Sequence, residues 1–419
     1  MNNNYVEDFK TLSQLFDISK SSTIVNIEGH KEFEIQSLPF TSASDYVYPD
    51  TGDYSGKGSA FTSLLKYYVE NNQYSKDLIF GTLEKSDKQV HENSHFRIPV
   101  FKPSGPAVFD RATILLHGLN EKHWDKYLTW ALRLMEDTGS PVILFPIAFH
   151  MNRAPKAWGN SKDMIRVAAE RKKLVCNSTE TSFLNAALSH RIQFAPHRFF
   201  SSGMQTYYDI IQFANEVRMG ANPYLSKNCR IDFFAYSVGA SLAEVLMTSN
   251  QNGFFDESRA FLFCGGAALD TAAPVSKTII DSEAYNELFS WFGSLFNSAS
   301  DIGKKVKGIF FQDLPEVLNF KSFLFFDKMQ SFRESALKKA GNRISGISLN
   351  QDSVFTPEST NRTLNGFSGD ININTENLDF PFAYRHEDPF PLLRANQIDV
   401  NSSFNRIFSK VSNFLNKSA

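Results

Sequence analysis

From Arg230 to Leu246 the chain reads Arg-Ile-Asp-Phe-Phe-Ala-Tyr-Ser-Val-Gly-Ala-Ser-Leu-Ala-Glu-Val-Leu. Arg230–Tyr236 has the apolar density of a buried strand, and Ala240–Thr248 reads as a helix, so Ser237, Val238 and Gly239 must make the whole corner between them. In so tight a corner strand and helix nearly touch, and side chains beyond a methyl group clash. The small residues Ala235 and Gly239 meet that requirement. Ser237 then stands at the apex with its hydroxyl presented, and the helix N-terminus points its free N–H groups at any negative charge that develops there. Of the serines followed two residues later by Gly, Ser237 alone also has Gly or Ala two residues before it.

The surrounding pattern agrees with this corner. Strands are expected at Asp77–Leu83, His95–Lys102, Arg111–Leu116, Pro141–Ile147, Ala260–Cys264, Ile344–Leu349 and Phe380–Tyr384. Helices are expected at Trp124–Asp137, Gly203–Met219 and Ser402–Leu415, each with apolar residues at helical spacing. Such alternation implies a mostly parallel sheet covered by helices on both faces, with ligands at the carboxyl ends of its strands. Residues 1–75 are expected to form an extension: a hairpin from Thr23–Glu28 and Glu32–Leu38 around Gly29, a loop at Asp45–Gly58, and a short helix at Phe61–Glu70. Gly52, Gly56, Lys57 and Gly58 lack the spacing of a phosphate loop. Two insertions, at about 150–200 and 271–340, interrupt the alternation.

Composition narrows the function. The chain has 419 residues, 43 Lys+Arg against 45 Asp+Glu, and 40 Phe. The near-zero net charge argues against a nucleic-acid partner. The Phe content points to a thick aromatic core, a broad apolar pocket, or both. No apolar run approaches the roughly 18–20 residues that span a bilayer. The three cysteines, Cys176, Cys229 and Cys264, make neither a disulfide framework nor a metal clip. A soluble cytoplasmic protein is expected, with covering of a sheet edge or a homodimer contact as roles for residues 1–75.

The corner at Ser237 resembles the nucleophile elbow of the α/β-hydrolase superfamily, of serine esterase or lipase type, and the resemblance extends over about residues 77–417. Ala stands at position 235 where the family pattern has Gly. The family's order of Ser, then acid, then His can be followed along the chain. Ala112-Thr-Ile-Leu-Leu-His117-Gly118-Leu119 is a strand ending in His-Gly. By resemblance the backbone amides of Leu119 and Val238 would form the oxyanion hole, with His117 structural. Asp352, in the loop after Ile344–Leu349, matches the acid-bearing turn. Asp270 stands in reserve, and Asp370 leaves little chain before the histidine. His386 is the one histidine of nine downstream of Ser237. Glu387 and Asp388 would raise its basicity if they come close.

The resemblance implies a serine hydrolase acting on a small-molecule carboxylic ester through Ser237, His386 and Asp352, with no metal or organic cofactor. Acyltransferases, thioesterases and non-catalytic binding proteins share the fold and are the alternatives. The insertion at 271–340, rich in Phe and Trp, lies where family members carry a helical lid. An aromatic lid suits an apolar acyl or aromatic substrate, although most of these side chains are expected to form a small core of their own. In the first insertion, Arg153 and Arg198 are expected in surface ion pairs, with a substrate anion as the other reading. His91-Glu92-Asn93-Ser94-His95 spells the zinc-protease signature. Its polar flanks and the strand that follows are expected to make it a hairpin turn instead of the required helix.

Overall fold

The computed structural model describes residues 4–47, 83, 85–105, 107–174, 179–296 and 312–417. The helix expected at Phe61–Glu70, nearly all of the strand expected at 77–83, the glycines around Lys57, Cys176, and Phe310 and Phe311 lie outside them.

Among the described residues nine strands form one sheet: β1 (Ser22–Val25), β2 (Phe33–Thr41), β3 (His95–Pro103), β4 (Phe109–Leu116), β5 (Val142–Phe145), β6 (Leu225–Tyr236), β7 (Ala260–Phe263), β8 (Ile344–Leu349) and β9 (Asn374–Leu378). Their order across it is β1-β2-β3-β5-β4-β6-β7-β8-β9. The first three pair antiparallel with one another, and β3 meets β5 antiparallel. From β5 to β9 every pairing is parallel. The sheet is mostly parallel and carries helices on both faces, as the alternation of strands and helices implied. The expected hairpin is present as β1 and β2, and it continues the main sheet through β3.

Consecutive strand residues point to opposite faces, and both faces are covered, which is why the central strands are apolar without interruption. Ile114, Leu116, Phe233 and Ala235 pack on one side with Met204, Tyr207 and Ile210 of the helix His197–Met219 and Leu242 and Leu246 of the helix Val238–Ser249. Leu115, Phe234, Tyr236 and Phe263 pack on the other with the helices Asp125–Thr138 and Gln397–Leu415. Trp130 sits at the centre of that layer, 5.9 Å from the ring of Phe234, 5.3 Å from Tyr236 and 5.8 Å from Phe408. Much of the Phe content thus serves an aromatic core, each buried ring contributing on the order of 2–3 kcal/mol.

Several elements differ from expectation: β6 begins at Leu225 instead of Arg230 and the last helix at Gln397 instead of Ser402, and three further differences are larger in consequence. The last strand is Asn374–Leu378, not Phe380–Tyr384. It lies at the sheet edge with Leu378 as its one buried side chain, so its backbone pairs with β8 while its sequence carries no apolar signal. Phe380 and Tyr384 are core-facing loop residues. The helix expected from Gly203 begins at His197. Gly203 lies inside it because Phe320 packs there: a Cβ would fall 2.7 Å from that ring. A helix at Tyr5–Leu15, not expected from the sequence reading although Tyr5, Phe9, Leu12 and Leu15 recur at helical spacing, packs Tyr5 4.6 Å from Phe404.

The insertions are helical and joined. The helices Ser161–Leu174 and Ala186–Phe194 belong to the first, and Ser282–Phe296, Pro315–Ser322 and Gln330–Ala340 to the second. Arg171 Nε and Nη2 donate to Asp281 at 3.0 and 2.9 Å, with both side chains about 1% exposed. Asp281 also caps the helix that follows it by accepting from the Ala284 amide. Ile279, Leu288, Phe292, Phe320 and Phe323 merge with the main core instead of forming a separate one. No helix among the described residues is long and apolar enough to cross a membrane.

His30, at the β1–β2 turn, ties the N-terminal helix to the rest: Nε2 bonds Asp8 Oδ1 and Nδ1 bonds Glu136 Oε1, both at 2.9 Å. Hydrogen bonds donated by the imidazolium to these two carboxylates raise the His30 pKa from 6.5 to about 9. The folded state therefore gains most below pH 6.5 and loses that gain as pH rises through 9. After allowance for solvent screening the gain is on the order of 1–2 kcal/mol. Urea denaturation of His30→Gln beside the parent protein should show a stability gap at pH 6 that closes by pH 9.5. A gap unchanged across that range refutes the ion-pair account.

Candidate active site

The chain leaves β6 at Tyr236 and enters the helix Val238–Ser249 one residue later, and Ser237 absorbs the reversal with φ 58° and ψ −127°. This is a conformation that a non-glycine residue holds only when its surroundings impose it. Two glycines impose it. A Cβ on Gly239 would lie 2.8 Å from the carbonyl oxygens of Leu116 and His117 at the end of β4. A Cβ on Gly265, just past β7, would lie 2.6 Å from the Ser237 carbonyl oxygen. Gly239 is the residue the corner requires by its sequence. Gly265 was not foreseen, although a Cys-Gly-Gly directly after a buried strand could have signalled a close approach there.

The residues expected to act together do meet. Ser237 Oγ lies 2.8 Å from His386 Nε2, and His386 Nδ1 lies 2.8 Å from Asp352 Oδ2. All three are at most 4% exposed. The second oxygen of Asp352 accepts from the amides of Val354 and Phe355 at 2.8 and 2.9 Å, which fixes the carboxylate. The reserve acids are elsewhere: Asp270 accepts from the Phe326 amide, and Asp370 pairs with Lys338 on the surface. Glu387 turns toward Thr278 and Ser276, so Asp352 is the carboxylate on the imidazole.

Sequence reading missed two further residues at this site. The Tyr236 ring stacks on His386 at 5.4 Å and 14°, and its hydroxyl donates to the His386 carbonyl. The buried Cys264 thiol lies close enough to Asp352 to feel its charge. Burial and the Asp352 charge push its pKa well up, so it stays neutral. Both follow strand residues whose apolar pattern gives no sign of a polar task.

Leu119 and Val238 line the same small apolar cavity as Ser237, with Phe199, Ile280, Leu288 and Phe355 among the other walls. His117 is structural: wholly buried, it donates from Nδ1 to the Gly118 carbonyl and accepts at Nε2 from the Ile147 amide. Burial pushes its pKa well down, so it is neutral.

The other sequence candidates take structural roles. His91–Ser94 is a single helical turn, not a hairpin turn, and His95 already begins β3, the two imidazoles stacking at 4.3 Å. Among the described residues no group of three or more His, Cys, Asp or Glu is placed to hold a metal ion. The turn's contribution comes from Asn93, which accepts from Arg153 at its carbonyl and from the Phe149 amide at Oδ1. Arg153 and Arg198 are buried rather than surface ion pairs. Arg153 bonds Asp209 at 2.8 Å with both side chains fully covered, and Arg198 pairs with Asp87.

A model for a family of unknown function, DUF6051, matches residues 3–416. The chain belongs to that family. No curated protein matches it. Similar solved structures include carboxyl esterase 2 from the mycorrhizal fungus Tuber melanosporum, at 10% identity over 77% of this chain and 82% of that one, with a TM-score of 0.41. An esterase of the archaeon Pyrobaculum calidifontis is 14% identical over 84% and 92%, TM-score 0.41. A thermostable esterase of Pseudomonas putida is 11% identical over 86% and 100%, TM-score 0.38.

The glycine contacts make a direct test. Gly239→Ala and Gly265→Ala should each cost about 1–3 kcal/mol in urea denaturation, the usual range for overpacking. Gly159→Ala, with nothing within 4 Å of its Cβ, should stay within about 0.5 kcal/mol of the parent protein. Equal effects at all three positions would sink the steric account of the corner.

Proposed function

We propose that this protein is a serine hydrolase that cleaves a carboxylic ester through an acyl-enzyme, with Ser237 as nucleophile, His386 as general base and acid, and Asp352 as its orienting carboxylate. The observation that carries this reading is the unbroken hydrogen-bonded chain Ser237–His386–Asp352, held at a strained corner at the carboxyl end of the sheet. His386 takes the Ser237 proton as Oγ bonds to the substrate carbonyl carbon, and the carbonyl π pair moves onto oxygen. The Leu119 and Val238 amides stabilise that oxyanion. Its collapse breaks the bond to the leaving alkoxide, which receives the proton from His386. Water then attacks the acyl-enzyme, again giving its proton to His386, and Ser237 leaves with that proton as the acid is released. Asp352 holds the imidazole with Nδ1 protonated, so that Nε2 is free to accept. The apolar walls around Ser237, among them Ile279, Leu288 and Phe289 of the second insertion, favour an apolar acyl or aromatic group and fit a lid role for that insertion.

Exposure to a fluorophosphonate probe should add one adduct by intact mass, mapped to Ser237 and absent in Ser237→Ala. Asp352→Asn should remain folded and lose about 10³–10⁴-fold in kcat on any ester turned over, because the imidazole loses its tautomer. Folded protein that takes up no adduct and hydrolyses no ester would overturn the reading.

A further inference from the structure

Lys126 lies in the first turn of the helix Asp125–Thr138, where a cation opposes the helix dipole at a cost of about 0.3–1 kcal/mol. Its contacts offset that cost. The ammonium pairs with Glu121 Oε1, donates to the Glu387 carbonyl at 3.0 Å, and sits 4.7 Å from the centre of the Tyr236 ring. The two side chains of the ion pair are only 17% and 21% exposed, so solvent screens it in part.

These contacts reach the site from two sides. On one side is the turn that carries the base. His386 and Glu387 are its two central residues, closed by the amide–carbonyl bonds between Arg385 and Asp388. The carbonyls of the two central residues make no bond within such a turn and need partners outside it. The Tyr236 hydroxyl takes the first and Lys126 the second. The Glu387 carboxylate accepts from Thr278 and Ser276, in the stretch after β7. On the other side is the end of β4. Glu121 Oε1 accepts from the Tyr127 hydroxyl at 2.9 Å, and that hydroxyl accepts from the Gly118 amide at 3.1 Å. Tyr127 is wholly buried. Burial and the Glu121 charge push its pKa well up, so the hydroxyl keeps its proton. The Glu121 carbonyl accepts from the Met151 amide at 3.2 Å, which fixes the acid's own segment. One unbroken polar path therefore runs Gly118–Tyr127–Glu121–Lys126–Glu387, from the residue before Leu119 to the residue after His386.

We infer that Lys126 is a positioning residue for His386, its ammonium locking the turn that carries the base to Glu121 and, through Tyr127, to the strand end that carries the Leu119 amide. The inference rests on the serine-hydrolase reading and adds to that site a residue that touches neither Ser237 nor the imidazole's two bonded partners. His386 lies in a loop, without a strand ladder or helix to hold it, yet its Nε2 must stay in line with Ser237 Oγ through each proton transfer. A misplacement of about 1 Å in such a site costs on the order of 10²-fold in rate. Lys126, Glu121 and Tyr127 are not among the walls of the cavity at Ser237, so loosening them should spare substrate binding.

Lys126→Met keeps the apolar stem and removes the charge. In protein shown to be folded by urea denaturation, it should lower kcat at least about tenfold on any ester turned over and keep KM within about twofold. Lys126→Arg can reach the same carboxylate and carbonyl and should recover at least about a third of the parent kcat. Tyr127→Phe should also lower kcat. The double variant should fall no more than about twofold below the weaker single one, because both changes cut one path. A kcat within twofold of the parent in Lys126→Met, no recovery in Lys126→Arg, or losses that multiply in the double variant would overturn the inference. A readout without turnover separates this outcome from failure of the hydrolase reading. The downfield proton resonance of His386 Nδ1–H, absent in His386→Gln, should exchange with water at least about fivefold faster in Lys126→Met and return toward the parent rate in Lys126→Arg. That result in protein that cleaves no ester would uphold the positioning role and count only against the chemistry assigned to the site. Unchanged exchange in Lys126→Met would overturn the role itself.

Discussion

The close approach of four chain segments at Ser237 is the constraint on which the rest of this structure depends. The end of β4, the corner after β6, the start of the helix Val238–Ser249 and the loop after β7 converge where Gly239 and Gly265 have no room for a Cβ. The parallel order β5-β4-β6-β7-β8 brings these strand ends to one edge of the sheet. Packing on both faces keeps them there, with Trp130 and its aromatic neighbours on one side and Met204 and Tyr207 on the other. The left-handed φ of Ser237 is a local cost that this convergence outweighs. The hydrogen bonds to His386 and Asp352 inherit their geometry from it, because Asp352 and His386 lie in loops after β8 and β9.

A second layer of constraint is polar and lies in the insertions. Arg153 with Asp209, and Arg171 with Asp281, are buried ion pairs satisfied by more than one hydrogen bond each. Removing one partner from such a pair costs on the order of 3–5 kcal/mol. Their positions explain why that cost is tolerated. Arg153 fixes the loop after β5, and Arg171 joins the two insertions whose side chains wall the cavity at Ser237. The buried network Asn93–Gln205–Ser42–Asp209 extends the first of these to the residue just past β2 and the helix His197–Met219.

What was legible in the sequence follows from which interactions leave a local trace. Strands buried on both faces, such as Ile344–Leu349, and helices with an apolar stripe, such as Asp125–Thr138, write their burial into consecutive residues, and their positions were readable. Strand β9 was not, because an edge strand held by its backbone can be as polar as Asn-Thr-Glu-Asn-Leu. Ser237, Asp352 and His386 could be brought together through the family resemblance: Ser237 and Asp352 follow strands whose burial was legible, whereas His386 lies in a loop eight residues past β9, where a strand was expected. Tyr236, Cys264 and Gly265 could not, because their roles exist only between segments distant in sequence. Arg153 failed for the same reason: an arginine in a polar stretch looks solvated until Asp209, 56 residues away, is folded over it.

The sequence His91-Glu92-Asn93-Ser94-His95 shows how a motif's letters and its physics can part. Metal binding requires two histidines one turn apart on a continuing helix, but here the helix ends after Ser94 and the strand begins at His95. The residue that matters is the unremarked Asn93 between them. Buried and bonded to Arg153, Phe149 and Gln205, it anchors the strained loop beside Ser237. The loop's left-handed residues, Phe149 and Met151, depend on that anchor. Asn93 thus fixes the backbone of the loop after β5 through hydrogen bonds alone, without touching Ser237, His386 or Asp352.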